Sequence, residues 1–209
     1  MLSFLLQTAT VAQMTRATAA ATTANPFMWY VTRAAAVSSY LTLTTMVLLG
    51  ITRSLVRIAG SRASWMLDET HQFLAILTAA LVALHLLTLI LDPLIPFSLL
   101  NLLLPIAEPY RPLAVDLGVL GLYALVVVLL SSWLRRYLTH ASWRLLHYTG
   151  FAVFLLVTLH GIFSGSDSGQ PWMVVVYLVA SAAVLLLTLF RMLWLPQPQA
   201  VRRTPARTR

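Results

Sequence analysis

The chain has 209 residues, of which 59% are hydrophobic and only 10% are charged. A soluble domain of this length needs far more charge to cover its surface, so the composition indicates an integral membrane protein. The absence of cysteine excludes disulfides and thiolate-held metal clusters, and the net charge of +8 comes from arginines spread between apolar stretches, which argues against a nucleic-acid partner.

The first segment, residues 1–26, begins with six residues that are mostly apolar. Gln, Thr and Arg16 then interrupt it. A cleaved signal peptide normally carries its charge before the apolar stretch, whereas Arg16 comes after it. The sequence therefore predicts an extramembrane or interfacial arm here.

Five segments are long and apolar enough to cross a bilayer, which takes about 20 residues of helix. They cover approximately residues 28–50, 70–91, 112–133, 144–164 and 171–193. The link between the second and third spans is broken by four prolines but contains the apolar run "FSLLNLLL". This pattern predicts a short helix that lies on the outer membrane surface or covers a pocket. The Arg- and Pro-rich end, residues 194–209, is predicted to be a disordered cytoplasmic tail.

The arginines predict the orientation of the chain in the membrane. Eleven of the fourteen fall on one side of the five spans, and the exceptions are Arg16, Arg33 and Arg111. Because basic residues accumulate on the cytoplasmic side, we expect a multi-pass plasma-membrane protein with its N-terminus outside and its C-terminus in the cytoplasm.

Four of the five histidines fall within the spans. His71 and His85 lie fourteen residues apart in the second span, and His147 and His160 lie thirteen apart in the fourth. These two spans run in the same direction, so the histidines form two pairs at two depths, with His71 and His147 nearer the cytoplasm. Polar groups at membrane depth are costly and usually functional. His140 falls in a predicted cytoplasmic loop, where a solvated histidine is the simplest interpretation.

The separation within each span predicts the cofactor. Fourteen residues of helix span about 20 Å, too far for one metal ion. Two haems fit, because each iron can take an imidazole from each helix on its two axial positions. With no cysteine, covalent attachment is excluded, which leaves b-type haem. The predicted fold is an all-α membrane protein, a bundle of five transmembrane helices with two stacked b-type haems between the second and fourth.

The thirteen-residue spacing in the fourth span does not return to the same helix face. At about 100° per residue, the two histidines differ by roughly 140° in direction. We therefore expect this span to be tightened, tilted or kinked near Thr149, Gly150 or Thr158, unless its haems approach from different sides.

The histidine spacing and two sequence stretches resemble the transmembrane haem domain of the ferric reductase and NADPH oxidase superfamily. The stretches are "SWRLLHYTGFAVFLLVTLHG", similar to the second histidine helix of that family, and "TRAAAVSSYLTLTTMVLLGITRSLVR", similar to the helix before the first. The resemblance covers residues 27–193. It implies a haem-to-haem path in which His71 and His147 hold the inner haem, and His85 and His160 the outer one.

The resemblance also draws attention to Arg33, which matches an arginine near the outer haem in oxidases of the superfamily. This charge lies within the outer end of the first span. It either snorkels to the interface or pairs with a haem propionate or an anionic acceptor. Two departures from the family pattern limit the expected activity. No glycine-rich phosphate loop follows the last span in this sequence, so we do not expect this chain to take a hydride from a nicotinamide by itself. Leu89 stands where the oxidases tend to have an additional histidine, which argues against superoxide production.

The sequence is compatible with three functions. The first is transmembrane electron transfer from a separate flavoprotein or quinol to an outer acceptor such as ferric iron, oxygen or a periplasmic enzyme. The second is an accessory haem subunit of a larger respiratory or photosynthetic membrane complex. The third is a haem-free scaffold or transporter whose histidines serve hydrogen bonding or proton transfer. Whether the chain is itself an enzyme or an oxidoreductase subunit is left open.

Other residues have simpler interpretations. Four tryptophans at span ends are expected to be interfacial anchors: Trp133, Trp143, Trp172 and Trp194. Asp68 and Glu69 are expected to provide favourable charge at a helix N-terminus. Three serines in "FSGSDSGQP" either bond the outer propionates or form a plain turn: Ser164, Ser166 and Ser168.

Overall fold

The computed structural model describes residues 26–58, 64–92, 97–105 and 111–194, and this part of the chain is helical with no β-strand. The predicted arm over residues 1–26, apart from Pro26, and the tail beyond residue 194 lie outside the described residues. The helices are α1 (Phe27–Ile58), α2 (Ser64–Leu91), α3 (Leu99–Leu103), α4 (Pro112–Trp133), α5 (His140–Ser164) and α6 (Pro171–Trp194), with a 3₁₀ helix at Arg135–Tyr137.

Five of these helices are long and apolar enough to cross a membrane, which confirms the five predicted spans and indicates a multi-pass membrane protein. Several helices extend beyond the predicted bounds. α1 has 32 residues and is about 48 Å long, whereas the hydrocarbon core is about 30 Å thick. Only the part of a helix that lies within lipid needs to be apolar. A hydropathy criterion therefore does not detect the polar turns at the ends of α1.

The extension of α5 corrects the interpretation of His140. This residue lies in the first turn of the helix rather than in a loop, although its side chain is exposed as expected. The helix begins here because the Thr139 hydroxyl accepts a hydrogen bond of 3.1 Å from the Ser142 backbone N–H, which caps the N-terminus.

The predicted short helix between the second and third spans is confirmed as α3. Leu102 is buried, while Leu99, Leu100 and Leu103 are exposed. The Tyr123 hydroxyl of α4 donates a hydrogen bond to the Leu103 carbonyl. One face of α3 therefore packs inward, and the other presents leucines to the surroundings.

The long helices alternate in direction, and their ends define the two ends of the bundle. We call the end that carries Arg33, His85 and His160 the Arg33 end. The opposite end carries Arg53 and His71, together with His147, and we call it the Arg53 end. α2 and α5 both run from the Arg53 end to the Arg33 end, so they are parallel.

The bundle is built from two antiparallel pairs. α1 packs along α2, α4 packs along α5, and α1 also contacts α5 and α6. Two hydroxyl pairs join α1 to α2: Thr32 donates to Thr88 at 2.8 Å, and Thr78 donates to Thr42 at 3.0 Å. In lipid, such interhelical hydrogen bonds stabilise packing by about 0.6 kcal/mol each.

Apolar packing joins the two pairs, but the backbones of α2 and α5 do not pack closely. One buried cluster links α1, α5 and α6 through Tyr40, Phe154 and Tyr177. A second links α1, α4 and α5 and includes Leu43 and Val153. Close backbone contact between α2 and α5 is almost absent within the described residues. The backbones of the two helices that carry the paired histidines therefore lie farther apart than those within each packed pair.

Candidate functional site

At the Arg53 end, His71 of α2 and His147 of α5 face each other. Their ring centres are 6.1 Å apart, with an angle of 60° between the ring planes. Two imidazoles that bind one metal ion from opposite sides have ring centres about 6 Å apart, because each metal–nitrogen bond is about 2 Å and each ring centre lies about 1 Å beyond its nitrogen. The observed spacing of the ring centres matches that of such a pair.

At the Arg33 end, His85 and His160 line one cavity of about 440 Å³. Residues of all five long helices line the cavity, including Arg33 of α1, and Leu102 of α3 also lines it. Its volume falls in the range of roughly 300–1,000 Å³ that is usual for cofactor and ligand pockets. The structure thus brings the four span histidines together as two pairs at two depths.

Three of the four imidazoles are held by backbone carbonyls of a neighbouring helix. The Nδ1 atoms of His71, His85 and His160 lie within hydrogen-bond distance of such oxygens. The acceptors are Met46 O at 3.0 Å from His71, Thr32 O at 3.2 Å from His85, and Ala114 O at 2.7 Å from His160. A carbonyl can only accept, so Nδ1 carries the proton in each ring. The Nε2 lone pair is therefore available to a metal, an arrangement typical of metal-binding histidines.

The two anchors on α1 follow the register of the helix pair. His71 and His85 are fourteen residues apart on α2, and Met46 and Thr32 are fourteen apart on the antiparallel α1. Fourteen residues make nearly four full turns, so both rings leave α2 on similar faces and meet α1 in the same way. Nothing in the sequence pattern identified these acceptors, because any residue can supply a backbone carbonyl.

His147 is held differently. Its Nδ1 is buried and has no hydrogen-bond partner among the described residues. Its ring stacks on Trp143, with centroids 4.9 Å apart and an interplanar angle of 23°, and the Arg135 guanidinium lies 4.5 Å from the Trp143 ring centre. Trp143, which the sequence predicts to be an interfacial anchor, thus also packs against a candidate ligand. Trp133, in contrast, is 79% exposed.

The thirteen-residue spacing in α5 is accommodated without a break in the helix. α5 is a continuous α-helix over 25 residues. Thr158 bonds back to the Phe154 carbonyl at 2.7 Å, yet the helix continues through it. The two rings leave α5 in different directions instead: His147 faces α2, whereas His160 lies against Ala114 of α4. Of the alternatives that the spacing allowed, approach from different sides is the one this arrangement supports.

Arg33 is paired within the protein rather than left to the interface. Its guanidinium binds both carboxylate oxygens of Asp167, with Nε donating at 3.0 Å, and it lies 4.1 Å from the centre of the Trp29 ring. Asp167 belongs to the turn between α5 and α6. The pair therefore joins α1 to that turn beside the cavity, which both residues line, and no sequence pattern marks Asp167 as the partner.

The Arg33–Asp167 pair supports a stability prediction. The side chains of Arg33 and Asp167 are 30% and 17% exposed, so this ion pair is neither fully exposed nor fully buried. We expect Asp167→Asn to lower the free energy of unfolding by about 1–2 kcal/mol. Thermal unfolding in detergent measures this loss of stability. The double variant with Arg33→Gln and Asp167→Asn should lower the free energy of unfolding no more than either single change does. Additive losses would contradict the pairing.

The remaining candidates have local partners. Asp68 forms an ion pair with Arg53 of α1 rather than serving only as charge at the start of α2. The Ser164 hydroxyl donates to the His160 carbonyl at 2.6 Å and lies 3.4 Å from His160 Nδ1. The Ser168 hydroxyl donates to the Gly165 carbonyl at 2.8 Å, so it stabilises the turn.

The described residues contain no cluster of three or more histidine, aspartate or glutamate side chains that could hold a metal ion. No family model, curated protein or solved structure matches the chain.

Proposed function

We propose that this protein transfers electrons across a membrane through two b-type haems, one between His71 and His147 and one between His85 and His160. One observation carries the proposal. Two parallel membrane-spanning helices present paired imidazoles at two depths, and three of those four rings have Nδ1 bonded to a carbonyl. This arrangement prepares Nε2 for a metal at both depths.

The surroundings support haem over a bare ion. Structural zinc usually takes four protein ligands, whereas the described residues gather only two imidazoles at each depth. The cavity beside His85 and His160 is lined mainly by apolar side chains such as Val82, Val119 and Val157. Haem brings its own nitrogen ligands for the iron, so two imidazoles and an apolar slot would be enough to hold it.

When bound, b-type haem accepts and donates one electron at a time. The four histidines would bind its iron. The backbone carbonyls of Met46, Thr32 and Ala114 would hold the proton on Nδ1 of the three imidazoles that they contact. Apolar side chains from the helices exclude water from the slot. Arg33, which is paired with Asp167, places a positive charge in the lining of the cavity, where it would also favour an anionic group such as a haem propionate.

The proposed direction of transfer follows from the arginine distribution. With the Arg53 end in the cytoplasm, a separate flavoprotein or quinol would reduce the haem between His71 and His147, and an acceptor outside would oxidise the haem at the Arg33 end. This scheme agrees with the resemblance to the ferric reductase and NADPH oxidase superfamily, in which we propose to place the chain.

Transmembrane transfer can be measured in liposomes that contain trapped ferricyanide. After dithionite is added outside, we expect liposomes with the purified protein to bleach the ferricyanide about ten times faster or more than protein-free liposomes. The matched control is a His85→Ala/His147→Ala variant, which keeps one histidine of each pair and therefore no two-histidine site. Equal bleaching by the variant and the unmodified protein would overturn the proposal.

A further inference from the structure

The three carbonyls that hold the imidazoles share a local feature. In each case the residue four positions later in the same helix is glycine or alanine. The pairs are Thr32 with Ala36, Met46 with Gly50, and Ala114 with Gly118. Because the three carbonyls lie on two different helices, α1 and α4, the feature does not arise from a single small-residue stripe.

Helix geometry explains why the fourth residue matters. The side chain of residue i+4 lies beside the carbonyl of residue i. This chain demonstrates it, since several threonine hydroxyls bond to the carbonyl four residues earlier, as in Thr44 to Tyr40 O at 2.8 Å and Thr88 to Leu84 O at 2.9 Å. An imidazole that reaches such a carbonyl from another helix needs the same space, so the side chain at i+4 must be small.

The glycines show how little space remains. A Cβ atom at Gly118 would lie 2.7 Å from His160 Nδ1 and 2.8 Å from its Cε1. A Cβ atom at Gly50 would lie 3.2 Å from His71 Cε1. The first contact is too short to exist, and the second demands only a small shift. The His160 anchor is therefore the more sensitive of the two.

We infer that Gly118 and Gly50 are positioning residues for the candidate axial ligands His160 and His71, respectively. Each leaves open the side of a carbonyl so that the imidazole can donate its Nδ1 proton there and keep the Nε2 lone pair available to a metal. The link to haem rests on the proposed function, whereas the fit between glycine and imidazole does not depend on it.

The fit can be tested without haem by a double-mutant cycle on the haem-depleted protein. We expect Gly118→Ala to lower the thermal unfolding midpoint in the presence of His160, and to have little effect in a His160→Ala background, where the ring is gone. Gly121→Ala is the control on the same helix, because a Cβ there meets Val157 at 3.2 Å rather than a histidine. Gly121→Ala should have the same effect in both backgrounds.

The consequence for the ligand is tested on the haem-loaded protein. We expect Gly118→Ala to leave about one haem per chain or to alter one of two low-spin signals in electron paramagnetic resonance. Gly169→Ala is the control here, because an added Cβ meets nothing within 4 Å at that position, and it should leave both signals unchanged. Gly50→Ala should alter the other signal and retain both haems. If Gly118→Ala fails to fold but regains its fold when combined with His160→Ala, the clash is established.

The outcomes separate the two proposals. If the unmodified protein binds no haem, the proposed function is wrong. The double-mutant cycle then still decides whether Gly118 makes room for the His160 imidazole. Equal destabilisation by Gly118→Ala in both backgrounds, or two unchanged signals in Gly118→Ala, would overturn the positioning role.

Discussion

His85→Ala and His160→Ala should each leave the protein with about one haem per chain instead of two, and combining them should remove no further haem. The reason is that the two rings line one cavity and would bind the same iron. A haem that loses one of two axial ligands also loses the low-spin spectrum of a two-histidine complex. Haem extraction and absorption spectra of the purified variants measure both effects.

The opposite pair supplies the internal comparison. His71→Ala and His147→Ala should remove the other haem, so combining His71→Ala with His85→Ala should remove both. His140→Ala is the neutral control, because His140 is exposed in the first turn of α5. Loss of both haems from a single substitution in an otherwise stable protein, or additive losses within one pair, would contradict the pairing by depth.

Trp143→Ala should weaken haem binding between His71 and His147 by about 10- to 100-fold, the usual effect of removing a residue that orients a metal ligand. The other three rings are anchored by carbonyls, but Nδ1 of His147 has no such partner among the described residues. Its orientation therefore depends on stacking with Trp143, whose centroid lies 4.9 Å away. Titration of haem into haem-depleted protein measures the change.

Two variants separate stacking from general loss of packing. Trp143→Phe keeps an aromatic face and should retain most of the affinity. Trp133→Ala removes a tryptophan that is 79% exposed and should leave both haems bound. If Trp143→Ala binds haem as tightly as the unmodified protein, His147 is held by something other than this ring.

The membrane spans and the two histidine pairs could be predicted because both depend on patterns that are visible in a sequence. Apolar length identified the five helices, and the spacing of His71 and His85 close to four turns of helix placed both on similar faces. The parallel direction of α2 and α5 followed from counting the helices between them. Each of these inferences needs only helix geometry and alternation across a membrane.

The features that could not be predicted from the sequence depend on which atoms of different helices lie in contact. The acceptors at Thr32, Met46 and Ala114 are backbone oxygens, which any residue has. The Arg33–Asp167 pair joins residues 134 positions apart, and no local pattern marks it. Gly118 looked like any glycine in an apolar helix, and only its closeness to His160 gives it a role.

The central claim is that the four span histidines hold two haems, one pair to each. It is tested most directly by counting haem against protein in the purified full-length chain and recording its electron paramagnetic resonance spectrum. Our account predicts about two non-covalently bound b-type haems per chain, both low-spin with two imidazole ligands. A chain that folds in the membrane and binds no haem, or an iron bound by other side chains, would contradict it.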